Sequence, residues 1–428
     1  MLHDDEMLLA CLREPQAALP YALSLAVRRA RPGKALFETE DMLFDFVSHA
    51  KEGRAELRVT DGVHPQYDYH WTGREEPIGE APRLASFDIR WRGVRFEMLQ
   101  ATYAMGYGVI SRYFLVADEH ARAVDYFTEV CEHSAELRDR ILVYANGCWS
   151  TSKELYASVA RTSFDDIILA EPLGRSIRSD FDRFLRAREQ YERWQVPWKR
   201  GALFLGSPGN GKTMCIRALI RELALPCIYV QGFVAPHRPP QVGIKEVFDR
   251  ARRQAPCLLV LEDLDALVTP DSRSFFLNEL DGFATNSGIV TIGSTNHPER
   301  LDPALLDRPS RFDRKYYFAL PETADRARYI GLWNAKLADG LSLDDAAVAR
   351  IAEATDGYSF AYLKELFASA LMRFASEAES ASPPTSLTDV LMDEASLLRD
   401  QMTKHDVVPG AGVPLTPDPR DRVLAIDY

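Results

Sequence analysis

The stretch "GSPGNGKT" (residues 206–213) places three glycines, a lysine and a threonine between the apolar run "GALFL" and "MCIRALIREL". It fits G-x-x-x-x-G-K-[ST], with a strand expected before it and a helix after it, the setting in which such a loop holds phosphate. Glycines let backbone N–H groups close on phosphate oxygens, and a helix opening at Lys212 turns its positive end toward the same anion. Lys212 adds a point charge at the β- and γ-phosphates, and the Thr213 hydroxyl suits Mg²⁺. Gly206, Ser207, Pro208, Gly209, Asn210, Gly211, Lys212, Thr213 and Met214 are therefore the expected cradle of a nucleoside triphosphate.

A second segment, "CLLVLEDLDAL" (257–267), is an apolar strand ending in Glu262, Asp263 and Asp265. Open α/β sheets bind ligands at the carboxyl ends of their strands, so these acids are delivered where a ligand would lie. One carboxylate there can hold a metal and its water shell, and another can orient attacking water. Capping of the next helix would explain one acid of this kind, and Asp265 is the candidate for that role.

The elements that must position these residues follow from hydropathy patterning. From Phe164 onward, short apolar runs alternate with helical ones: "GALFL", a helix from Lys212, "CIYV", "IKEVFDRAR", "CLLVLED", "SFFLNELDGF" and "IVTIGSTN". That alternation predicts an α/β fold, a parallel sheet with helices on both faces. "SIRSDFDRFLRAREQYERW" puts Ile177, Phe181, Phe184 and Leu185 on one helical face. After Pro321 the strands stop, and three helical segments predict a small all-helical domain. "SASPPTS" (380–386) breaks it before a further helix. Residues 1–162 read as a separate α+β domain: a hairpin about Arg92 and Gly93, a strand running into a helix with Val124 and Phe127 a turn apart, and a strand at "RILVYAN". Residues 51–86, rich in Gly, Pro and charge, read as loops, with His64 and His70 as solvated side chains. The expected domains are 1–162, 163–320, 321–402 and an extended tail, 403–428.

Composition narrows the function. The chain has 428 residues, 46% hydrophobic and 27% charged, with a net charge of −12, which argues against a nonspecific grip on nucleic acid. Its six cysteines are scattered singly, without metal-ligand spacing, as in a reducing compartment. No apolar run approaches the ~18 residues that span a bilayer, and the acidic start "MLHDDEMLLACLREP" has the wrong sign for a targeting peptide. A cytoplasmic location is expected. No N-K-x-D motif for reading guanine is present.

Taken together, "LFLGSPGNGKT", "CLLVLEDLDAL", "FFLNELDGF", "TIGSTNHPERLDPALL", "RPSRFDR" and "DGYSFAYL" give the chain a resemblance to AAA-family ATPases, from about Phe164 to Met372. The "LED-x-D" ending and the segment "SFDDIIL…FDRFLRAREQYERWQVPWKRG" are similar to the Bcs1-type subgroup, whose membrane anchor this chain lacks. The resemblance implies a P-loop NTPase sheet with a helical lid, ATP and Mg²⁺ as cofactors, and hydrolysis. It puts Lys212 and Thr213 at the phosphates and metal, Glu262 at the metal-associated acid, Asp263 at the catalytic acid, and Asn296 beside the attacking water. It further implies that Arg308 and Arg311 are arginine fingers reaching a neighbouring subunit, that Ser359 and Ala361 lie on the lid near the base, and that Asp165, Asp166 and Ile167 contact adenine. A homo-oligomeric ring, a hexamer, acting on a protein client follows as an expectation.

Two features depart from the family pattern. The usual Asp-Glu order is reversed to Glu262-Asp263, which moves each carboxylate by one methylene, on the order of 1.5 Å. Where threading members carry an aromatic before Val-Gly, this chain has Gln241-Val242-Gly243, with Phe233 as the nearest substitute. The first expectation is an ATP-driven remodeller; the alternative is a slowly hydrolysing assembly switch or scaffold.

Overall fold

The computed structural model describes residues 11–406 apart from residues 12, 14, 16–17, 71–77, 106–107, 136–139, 170–171, 237, 283–285, 309, 338–340 and 378–385. The chain forms two compact units: residues 1–166, 176–205 and 213–316 in one, and residues 167–175, 206–212 and 317–428 in the other. Of the expected tail, everything beyond Asp406 lies outside the described residues; the helix before it, Leu387–Asp406, runs past the expected boundary at 402.

The first unit holds two sheets. One is antiparallel, built from β1 (Ala35–Thr39), β2 (Glu56–Thr60), β3 (Gln66–His70), β4 (Gly79–Trp91), β5 (Val94–Met105) and β6 (Gly108–Ala117). Their order is β1-β6-β5-β4-β2, with β3 also on β4. Arg92 and Gly93 have φ of 48° and 80°, the left-handed pair that a two-residue hairpin requires, so β4 and β5 pair as expected. Strand alternation gives the sheet two apolar faces. Phe87, Ile89, Phe96, Met98 and Leu115 meet the helix His120–Ala135, whereas Leu99, Ala101, Phe114 and Val116 meet the helix Leu19–Ala30.

Two sequence expectations change here. Residues 51–86 are not all loop: β2, β3 and the start of β4 lie in them, held by pairing to β4 that short polar strands do not advertise. On the helix His120–Ala135 the buried stripe is Ala123, Tyr126 and Val130, while Val124 points to solvent at 37% exposure. Large aromatics had hidden the period.

The second sheet comprises β7 (Ile141–Ala145), β8 (Cys148–Ser152), β9 (Arg200–Leu205), β10 (Cys227–Val230), β11 (Cys257–Leu261), β12 (Ile289–Thr295) and β13 (Arg314–Tyr317). Its order is β13-β9-β12-β11-β10-β7-β8. β9 to β12, β12 to β11, β11 to β10 and β10 to β7 are parallel pairs, and β7 with β8 is an antiparallel hairpin. β9, β11 and β12 are buried along their whole length, as strands covered on both faces must be. Residues 141–152, assigned from sequence to the N-terminal domain, are thus strands of this second, parallel-dominated sheet.

The antiparallel sheet is also joined to this part of the unit by an ion pair. Arg250, on the helix Pro240–Gln254, donates to both oxygens of Asp41 at 2.8 and 3.0 Å. Burial alone would raise the Asp41 carboxyl; hydrogen bonding and charge from Arg250 outweigh it and hold the pKa below its ordinary value. Because the folded value is the lower one, the bridge contributes fully above the ordinary carboxyl range and is lost as pH falls through the depressed value. Asp41→Asn should therefore speed amide exchange along Pro240–Gln254 at pH 7, by about tenfold or more for a lost charge-assisted bond. That difference from wild type should fade as pH falls through the depressed carboxyl value, where the wild-type bridge is itself lost.

In the second unit the helices Thr323–Asn334, Asp345–Ala354, Phe360–Glu377 and Leu387–Asp406 enclose Ile330, Ile351, Tyr358, Leu363, Phe367 and Leu391. The expected helical domain is present. Among the described residues no helix is long and apolar enough to cross a membrane.

Candidate nucleotide site

The phosphate loop lies in the second unit. Gly206, Gly209 and Gly211 have φ of 143°, 79° and 91°, values that side-chain-bearing residues rarely adopt. Two of these glycines are also fixed by close approach. A Cβ on Gly206 would lie 2.2 Å from the Phe318 carbonyl oxygen, and one on Gly209 2.6 Å from the Ala361 Cβ and 2.8 Å from the Ser359 Oγ. The Ala361 N–H donates to the Gly209 carbonyl at 3.1 Å, where the helix Phe360–Glu377 begins. The lid residues expected near the base, Ser359 and Ala361, therefore touch the loop itself. Ile167 is brought to it as well: a Cβ on Gly211 would contact the Ile167 Cγ2 at 3.6 Å and the Leu169 Cδ2 at 3.4 Å. Leu169 was not singled out from sequence; its only signal was membership of the apolar run "IIL".

Lys212 is 7% exposed, and its ammonium donates to the carbonyls of Gly206 (2.6 Å) and Ser207 (2.9 Å), across the turn of its own loop. Asn210 is buried and donates to the Ser207 carbonyl, while Ser207 and Pro208 are exposed. Thr213 and Met214 open the helix Lys212–Leu223 as exposed residues.

The acids lie in the first unit. β11 ends at Leu261, so Glu262 and Asp263 emerge at its carboxyl end. Asp263 has φ 50° and ψ 52°, a left-handed conformation that Asp tolerates better than longer side chains. Such strain costs on the order of 1–3 kcal/mol and gathers at functional positions. Its carboxylate is exposed and accepts from the Asn296 Nδ2 at 3.2 Å, which joins the two residues expected beside the attacking water. Asp265 does not cap the next helix; it accepts from the Thr295 hydroxyl at 2.6 Å. Glu262 accepts from the Tyr229 hydroxyl through Oε2, while its Oε1 is buried without a hydrogen-bond partner. An unpaired buried carboxylate oxygen is a fitting ligand for a hard cation such as Mg²⁺.

Asp166 and the arginines behave differently from expectation. The Asp166 carboxylate accepts from the Ser163 N–H at 3.0 Å and so closes its own turn, and Asp165 is exposed beside it. The Arg311 side chain is 5% exposed and occupied within its own chain, with 2.7 and 3.1 Å bonds to the Asp281 Oδ2 and a further bond to the Ala304 carbonyl. Burial pushes the Asp281 carboxyl up, but Arg311, with Ser310 and Arg308, holds it below its usual value. Arg308 is 65% exposed and lies 3.6 Å from the same carboxylate. Of the two, only Arg308 is free to meet a neighbour.

The segment after β10 also departs from a gripping loop. Gln241, Val242 and Gly243 are helical, within Pro240–Gln254, and Gly243 is buried 2.8 Å (from an added Cβ) below the Tyr144 hydroxyl. Phe233 is core, 1% exposed against Phe276. Arg238 pins the loop between them, donating to the Gly147 carbonyl of the β7–β8 turn at 3.1 Å and to Glu246.

Residues 202–320 match the model of the ATPase family associated with various cellular activities. The chain carries an AAA ATPase domain. It is similar to the ATP-dependent zinc metalloprotease FtsH of Acidothermus cellulolyticus, with 35% identity over 261 residues, 56% of this chain and 37% of that protein. The proteins of the same name from Caulobacter vibrioides (32% over 235 residues) and Thermobaculum terrenum (31% over 223) match 51% and 48% of this chain. The chain spans only 34–37% of the length of these relatives.

Proposed function

We propose that this protein binds ATP with Mg²⁺ and hydrolyses it as a homo-oligomeric ring. The observation that carries the reading is the joining of Asn296 to the carboxylate of left-handed Asp263 at the end of β11, a polar pair poised to orient water. In this reading residues 206–214 hold the phosphates, with Lys212 exchanging its loop carbonyls for phosphate oxygens. Ile167, Ser359 and Ala361 flank the adenine. Thr213 and Glu262 hold Mg²⁺, which supplies neutralisation of phosphate charge. Arg308 serves the neighbouring subunit's nucleotide, and Arg311 is the anchor that fixes its loop through Asp281. Similarity to the Bcs1-type subgroup rests on the "LED-x-D" ending and on the segment "SFDDIIL…FDRFLRAREQYERWQVPWKRG" before the phosphate loop.

The client, ring size, cytoplasmic location and role of the N-terminal domain follow the same proposal. The protease half of the relatives' name is not carried over. The 428 residues contain no H-E-x-x-H, the helix-borne zinc motif of such enzymes, and among the described residues no group of three His, Cys, Asp or Glu could hold a metal ion.

The pinning of the 231–240 loop by Arg238 favours the second reading, a nucleotide-gated switch or scaffold, over threading of an extended polypeptide. Phosphate release measured against protein concentration tests the ring. Activity per subunit should rise steeply as the oligomer forms, with Lys212→Ala losing both binding and turnover. Equal activity per subunit at every concentration would reject it. Stimulation by an added client would return the remodeller to first place.

A further inference from the structure

Tyr229 sits in β10 between Ile228 and Val230, which are 0% and 1% exposed, in a strand flanked on both sides by β7 and β11. A tyrosine in such a strand needs a partner for its hydroxyl. Its register partner on β11 is Val260. Glu262 lies two residues beyond Val260, on the same side of the sheet by strand alternation, within reach of a long aromatic side chain. The hydroxyl donates to the Glu262 Oε2, and the Oε1 of the same carboxylate remains buried and unpartnered. One oxygen is thus tethered to the sheet and the other is left for a ligand.

We propose that Tyr229 is a positioning residue for the metal site: its hydroxyl ties back one oxygen of Glu262, so that a carboxylate one methylene longer than aspartate presents the other oxygen to Mg²⁺. This rests on the reading of Glu262 as the metal-associated acid. The physical need is plain. A glutamate side chain has one more rotatable bond than aspartate, and a freely rotating carboxylate would spread its oxygens over more than the ångström that matters for phosphoryl chemistry. The tether removes that freedom.

Three variants of the full chain test this: Tyr229→Phe, Glu262→Asp and the two combined. Each is titrated with a fluorescent ATP analogue in EDTA and in graded Mg²⁺, and Mn²⁺ binding to the nucleotide complex is followed by electron paramagnetic resonance. Tyr229→Phe keeps the ring and removes only the tether. Affinity in EDTA should stay within about twofold, while half-saturating Mg²⁺ rises about tenfold, the scale of a bond to a charged group. The Mn²⁺ spectrum should broaden. In the Glu262→Asp background, removing the hydroxyl should cost little further, because the shorter acid has no tether to lose.

Equal weakening in EDTA and in Mg²⁺, or losses that simply add in the double variant, would overturn the proposal and leave Tyr229 a packing residue. Failure of the underlying reading would show separately. Glu262→Gln would then leave the Mg²⁺ dependence unchanged. Should Tyr229→Phe prove poorly folded, Glu262→Asp with the tyrosine intact carries the comparison: the shortened acid should also keep affinity in EDTA within about twofold and raise half-saturating Mg²⁺, and an unchanged Mg²⁺ dependence would overturn the proposal.

Discussion

Asp263→Asn should cut phosphate release by about 10²–10⁴-fold, the usual worth of a positioned base, while ATP affinity stays within about twofold. The substitution is chosen for the backbone as much as for the charge. With φ at 50°, position 263 accepts Asn nearly as readily as Asp, so the variant keeps its conformation and its contact with Asn296. Asp263→Ala would confound lost chemistry with backbone strain. The measurement pairs steady-state phosphate release with equilibrium binding of a fluorescent nucleotide. An unchanged rate would mean that water is oriented elsewhere, and the proposed hydrolytic role of this strand end would fall. The same geometry bears on the reversed acid order, because the shorter acid occupies the left-handed position and the longer one the residue before it, just past the end of β11.

The second large effect separates two arginines that the sequence cannot tell apart. Arg308→Ala should lower turnover of the assembled protein by about 10³–10⁵-fold, as loss of an arginine finger does, with thermal stability unchanged because the side chain is largely exposed. Arg311→Ala should act on the fold. It removes the main partner of Asp281 and a buried cation, at a cost of about 1–3 kcal/mol in unfolding free energy. Mixing wild-type and Arg308→Ala subunits gives the sharper measurement. If the arginine serves a neighbour, Lys212→Ala subunits, which keep Arg308 but hold no nucleotide, should restore turnover at sites facing them. Absence of complementation in mixed assemblies would place the effect within one subunit.

Much of this site was legible in the sequence because its chemistry is local. The pattern around the glycine loop dictates a strand before it and a helix after it, and the apolar run before Glu262 dictates a strand end; these elements stand as expected. The helical lid followed from period alone. What stayed hidden depends on partners distant in sequence. Tyr229 reads as one more apolar strand residue until β10 is set beside β11. Arg308 and Arg311 are indistinguishable until Asp281, at the end of the helix Pro270–Asp281, holds Arg311 buried in two hydrogen bonds and leaves Arg308 largely exposed beside it. Asp166, expected beside the adenine, accepts from the Ser163 N–H of its own turn, a bond that its sequence neighbours do not announce. Short polar strands such as β2 and β3 carry no hydropathy signal of their own, since the neighbouring strand β4 supplies their hydrogen bonds.

β7 has a consequence for any attempt to take the protein apart. Ile228, Tyr229 and Val230 pair along their length with Leu142, Val143 and Tyr144. A fragment beginning near Phe164 would strip that cover and bare the edge of β10, the strand that carries the tyrosine behind Glu262. An uncovered apolar edge recruits other chains, so the isolated catalytic piece would be expected to clump and to hold its acids loosely. The amino-terminal region thus buttresses β10 through β7, and trimming it would loosen the strand that carries Tyr229.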